Sequence, residues 1–79
     1  MGGLPMLDPD TWDAKTANLL KAELKRKGVT YAQLVEKLAA MGITDKEVNV
    51  ANKLSRGKFS ATFMLQCLNA LGVTALHLD

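Results

Sequence analysis

Apolar residues recur at helical spacing along most of this chain, and helix-ending residues stand in the gaps between the runs. Ala17, Leu20 and Leu24 have the three- and four-residue steps that gather one apolar stripe on an α-helix. They predict a first helix ending near Lys27, with Trp12 and Leu19 on its flank and Lys15, Lys21 and Lys25 pointing elsewhere. Its start is set either by Asp8 capping ahead of Pro9 or by Thr11, since both are good N-terminal residues and proline suits the first helical position. Lys25, Arg26 and Lys27 complement the negative end of the helix dipole. Gly28 then stops the helix.

Two further starts share one grammar. Thr30 with Gln33 three residues later is a capping box, and Val29 and Leu34 have staple spacing around it. This second helix runs through Leu34, Val35, Leu38 and Met41, with Met41 as core, to Gly42. Thr44 and Glu47 repeat the box, with Ile43 and Val48 as the staple. The third helix then places Val48, Ala51 and Leu54 or Ser55 inward and leaves Lys46, Asn49, Val50, Asn52 and Lys53 on the open side. Gly57 supplies a left-handed residue to close it. Ser60 caps a fourth helix with Phe63, Met64, Cys67, Leu68 and Leu71 inward, and Gly72 ends that one. The tail Val73–Leu78 is apolar at alternate places. It predicts a short helical turn or an extended segment against another chain. The reading is an all-α, compact domain of four to five helices, with residues 1–10 as a flexible arm and 11–79 as the domain.

Composition narrows this picture. The 79 residues suffice for one core, and a core of that size supplies only about 3–5 kcal/mol of net stability. Burial against a second copy would add to it, so a homodimer is expected. The net charge of +2 says little alone. Its distribution says more, because Lys53, Arg56 and Lys58 have no acid between them. The single cysteine, Cys67, excludes an internal disulfide and reads as a small buried hydrophobe. No apolar run approaches the ~18 residues of a membrane span. The first residues lack a signal-peptide pattern, and Met6 stands where a myristoylation motif needs Ser or Thr. A cytoplasmic protein without membrane contact is expected.

Chemistry is scarce. One His and one Cys cannot build a closed zinc site, and no Gly-rich stretch has phosphate-cradling spacing. Asp8, Asp10 and Asp13 stand at a helix start, where the dipole accounts for them. With no nucleophile–base pair, the chain is expected not to be an enzyme and to use no cofactor. Phe59 either anchors the loop beside it or sits at a contact surface, and Tyr31 is either a half-buried ring or a hydroxyl donor to phosphate. A helix that buries little and shows amides and cations outward is either an ordinary solvated helix face or a base-reading one, since Asn pairs with adenine and Lys with guanine.

Several of these segments resemble the λ-repressor-like (Cro/CI, XRE-type) helix-turn-helix domain. Val29-Thr30-Tyr31-Ala32-Gln33-Leu34-Val35-Glu36-Lys37-Leu38 is similar to that family's helix 2. Leu54-Ser55-Arg56-Gly57-Lys58 is similar to the end of its recognition helix, and Ala70-Leu71-Gly72-Val73 to the close of its fourth helix. The span from Trp12 to Val73 also resembles a small bacterial family of uncharacterised domains that share Leu19-Leu20-Lys21, Thr30-Tyr31-Ala32 and the run Asn52 to Ser60. Tyr31 stands where the λ-repressor-like family often has a backbone-contacting Gln, the connection from Ala39 to Asp45 is longer than the usual turn, and the loop Lys58 to Ser60 is shorter.

The resemblance implies a transcriptional regulator that binds double-stranded DNA as a homodimer, in the cytoplasm and at the nucleoid when bound. Its third helix, about residues 45–55, would enter the major groove. Lys46, Asn49, Val50, Asn52 and Lys53 would then meet base edges, and Tyr31, Gln33, Ser55, Arg56 and Lys58 would hold the backbone. Half-sites would lie about 34 Å apart. The rival expectation is a protein-interaction module on the same fold: an antitoxin, an anti-repressor or a polymerase adaptor. The two separate on charge. Lys46, Lys53, Arg56 and Lys58 on one uninterrupted face with Tyr31 favour DNA, whereas neutralisation of that face by Asp45 and Glu47 favours a protein partner.

Overall fold

The amphipathic segments become four helices among the described residues: α1 (Pro9–Lys27), α2 (Tyr31–Ala40), α3 (Glu47–Arg56) and α4 (Ala61–Ala70). The computed structural model describes residues 9–78, with side chains from Thr11 onward, and this stretch contains no strand. The all-α reading holds, with four helices among the described residues. The proposed arm lies outside the described residues except for Pro9 and Asp10, and these two open α1, the start that the Pro9 alternative gives.

Each helix contributes to one core. Leu20 and Leu24 come from α1, Leu34 and Leu38 from α2, Val50 and Leu54 from α3, and Phe63, Cys67 and Leu68 from α4, with Leu71 just beyond it. α3 packs on both α1 and α2, and α4 on the same two helices. α3 is thereby held on two sides. Truncating a buried leucine of this kind typically costs about 2–5 kcal/mol.

The local chemistry follows the sequence at three helix starts and departs from it at one. The Thr30 hydroxyl accepts from Gln33 N at 3.1 Å, and the Gln33 Oε1 accepts from Thr30 N at 2.9 Å. The Ser60 Oγ accepts from Phe63 N at 3.0 Å. In α1 the stripe Ala17, Leu20 and Leu24 is buried as expected. The second capping box does not form. The N-cap of α3 is Lys46, which makes no side-chain cap hydrogen bond. Asp45 stands just before it, and its Oδ1 accepts from Lys46 N at 2.8 Å. A carboxylate there suits the positive end of the helix dipole, and it displaces Thr44 from the capping role.

That change accompanies an exchange of valines. Val50 is fully buried with Leu54, while Val48 is 60% exposed. The inward stripe is therefore Val50, Leu54 and Gly57, and Val48 does not staple onto Ile43. Met41 is a second correction: it ends α2 at the surface, 39% exposed, where Asn69 Nδ2 donates to its Sδ at 3.7 Å. Residues 73–78 form neither helix nor strand, although Val73 and Leu76 pack on the core.

Of the described glycines, Gly57 at the corner after α3 is the one pressed against a neighbouring helix. Gly57 has φ +70°, and a Cβ built on it would lie 2.0 Å from the Asp13 carbonyl oxygen. Only a residue without a side chain lets α1 and the end of α3 meet so closely. Phe59, beyond the corner, meets Phe63 edge-on with ring centroids 5.3 Å apart, so it anchors this loop in the core. Cys67 is fully buried, and that burial pushes its thiol up to about 11. It stays protonated at neutral pH and serves as packing.

Candidate nucleic-acid interface

Helical geometry sorts the residues of α3 by the burial of Val50 and Leu54. At 3.6 residues per turn, Val48, Asn49, Asn52, Ser55 and Arg56 fall within an arc of about 120° facing away from the core. All five are exposed. The acid nearest in sequence, Glu47, lies outside that arc, on the flank beside Leu54. Lys46 is exposed at the start of the helix. Among the described residues, neither Lys46 nor Arg56 makes an ion pair.

Lys53 occupies the inner edge instead. Its Nζ lies 3.0 Å from Asp45 Oδ2 and 4.2 Å from the centroid of the Phe63 ring. The same carboxylate receives Lys46 N through its other oxygen. Asp45 thus ties the connection before α3 to the helix, and Lys53 ties both to α4. The Asp45 side chain is only 11% exposed. Burial raises the pKa of its carboxyl, but the hydrogen bond from Lys53, the Lys46 amide, the Lys53 charge and Asn49 together hold it below the ordinary value of 3.8.

This depression has a stability consequence with a definite sign. A folded-state pKa below the unfolded one gives stability that is present above the unfolded pKa and lost as pH falls through the folded value. The Asp45 contribution is therefore complete at neutral pH and disappears below about pH 4. Asp45→Asn is expected to destabilise the domain at pH 7 and to lose less than the wild type between pH 6 and pH 3. Urea unfolding followed by circular dichroism at the two pH values measures this, and equal losses in both chains would contradict the assignment.

The structure redistributes the residues singled out in the sequence. Val50 cannot reach a base edge because it is fully buried. Lys53 is engaged with Asp45 and Phe63. Lys58 points to α1, with its Nζ 3.4 Å from Asp13 Oδ2, and the exposure of the lysine to solvent makes this pair weak. Tyr31 is half-buried against the core. Gln33 has its oxygen in the capping box and lines a shallow groove with Lys27, Glu36 and Lys37. Asn49, Asn52, Ser55 and Arg56 remain together on α3. Of the four cations, two are matched by acids, Lys53 by Asp45 and Lys58 by Asp13, while Glu47 makes no ion pair among the described residues.

Val48 is not legible as a surface residue, because a valine four positions after a candidate cap reads as a staple. The signal that could have placed it outward is the i, i+4, i+7 series Val50, Leu54 and Gly57, which competes with the series through Val48. No cluster of three or more His, Cys, Asp or Glu side chains that could hold a metal occurs among the described residues. No described helix is long and apolar enough to cross a membrane.

Fold and surface together define a small all-α domain whose third helix turns Asn49, Asn52, Ser55, Arg56 and Val48 outward, with no acid of α3 in that arc. The sequence profile of a family described as a domain of unknown function (DUF6471) matches residues 12–76, and the chain belongs to this family. No curated protein and no solved structure matches the chain.

Proposed function

We propose that this chain binds double-stranded DNA, with α2 and α3 as a helix-turn-helix pair and α3 in the major groove. The observation that carries the reading is the outward face of α3, where Asn49, Asn52 and Ser55 stand with Arg56 and no acid. Amides and hydroxyls can hydrogen-bond base edges, and Asn can do so bidentately with adenine. Arg56 at the end of α3, and Lys46 at its start, supply charge for the flanking phosphates, with Tyr31 and Gln33 as further backbone contacts. Lys53 acts as a positioning residue that sets α3 against α4, and Lys58 is a secondary grip that must leave Asp13 to reach a phosphate.

Two copies on one site would compensate for the small number of free cations in each. A homodimer at the nucleoid, regulating transcription in the cytoplasm, is the biological form of this reading. The matched pairs Lys53–Asp45 and Lys58–Asp13 favour a second reading, a protein-interaction module on the same fold. Fluorescence anisotropy with labelled genomic duplexes tests the first reading: binding that weakens with salt supports it. A pull-down that returns one protein and no DNA supports the second.

A further inference from the structure

The acid-free face of α3 contains one residue that is neither a hydrogen-bonding group nor a cation. Val48 is 60% exposed, whereas the other large aliphatics of α3, Val50 and Leu54, are fully buried. It lies between Asn52 and Ser55 in angular position on the helix, near the middle of the outward arc. An exposed β-branched residue in the first turn of a helix gains nothing from the core and has a lower helix propensity than alanine. Its two methyl groups do offer an apolar surface one turn before Asn52.

Resting on the DNA reading, we infer that Val48 selects thymine through its C5-methyl group, next to a base read by Asn52. In the major groove the thymine methyl is the one apolar feature that a base pair presents. A valine one turn from an asparagine therefore combines a methyl contact with an adenine contact. The ligand is a duplex step containing adenine and thymine, and a G·C pair facing Val48 offers no methyl.

The test uses the chain and Val48→Ala. Val48 is exposed and alanine favours helix, so the variant keeps its fold, which circular dichroism checks. Duplexes are first selected from a random pool with the wild type, and each thymine of the selected site is then replaced by deoxyuridine, which lacks only the methyl group. Removing one methyl from an apolar contact corresponds to roughly a fourfold loss of affinity. The expected result is that uracil at one position per half-site weakens wild-type binding about fourfold and leaves Val48→Ala binding unchanged. Equal sensitivity of both proteins at every position, or no sensitivity at any, overturns the role of Val48 while leaving DNA binding intact. Failure of the wild type to enrich any duplex overturns the DNA reading and this inference with it.

Discussion

Gly57→Ala is expected to remove most of the stability of this domain. Two effects add. The residue sits at φ +70°, where a side chain costs about 1–2 kcal/mol. A Cβ would also lie 2.0 Å from the Asp13 carbonyl oxygen and 2.6 Å from its carbon. Neither atom can swing aside, because both belong to the backbone of α1. Relief requires α1 to back away from the corner, and α1 carries Ala17, Leu20 and Leu24 into the core. Forcing extra atoms into such packing costs about 1–3 kcal/mol. The combined loss approaches the ~3–5 kcal/mol that a core of this size supplies.

Gly42→Ala is the matched control. Gly42 has φ +83°, and a methyl group there would meet nothing within 4 Å, so that variant carries the conformational strain alone. Urea unfolding of the two variants separates close approach from strain. Equal destabilisation would show that the Asp13 contact does not decide the choice of glycine.

Arg56→Ala is expected to give the largest loss of DNA binding of any single surface change. Hydrogen bonds to charged groups contribute about 1.5–3 kcal/mol, so affinity should fall about tenfold or more at low salt. The loss should be similar on all duplexes, because phosphate contacts position the protein without reading sequence. The slope of log affinity against log salt should shrink by about 0.9, one neutralised phosphate. Lys58→Ala should do much less, since Asp13 already offsets that charge. Lys53→Ala should act through stability, by leaving Asp45 without its cation. Asn52→Ala should relax base choice with the salt slope unchanged. Arg56→Ala binding as tightly as the wild type would remove Arg56 from the interface.

Much of the architecture is legible in the sequence because local signals agree with the packing. The Thr30–Gln33 box, the Ser60 cap and the stripes of α1 and α4 each fix a helix without reference to its neighbours. The start of α3 is not legible, because its anchor is tertiary. Asp45 is held by Lys53, eight positions on, and Lys53 by Phe63 of α4. A capping pattern at Thr44 and Glu47 competes locally with that arrangement and loses to it. The same contacts explain why cations that look free in sequence, Lys53 and Lys58, are matched in the fold. Their acids lie on the connection before α3 and on α1, out of reach of any local pattern. The outward position of Asn49, Asn52 and Arg56 is legible, because their spacing puts them away from Leu54 whichever valine faces in.

Fluorescence anisotropy titration of the chain against its best selected duplex, across a range of salt, tests the central claim most directly. Among the described residues, Lys46 and Arg56 stand at the two ends of α3 without an ion pair, and each phosphate neutralised contributes about −0.9 to the log–log slope. The predicted result is saturable binding at low ionic strength with a slope of about −2 per bound copy, reduced by Arg56→Ala. No binding at low ionic strength, or binding indifferent to both salt and Arg56, would contradict it.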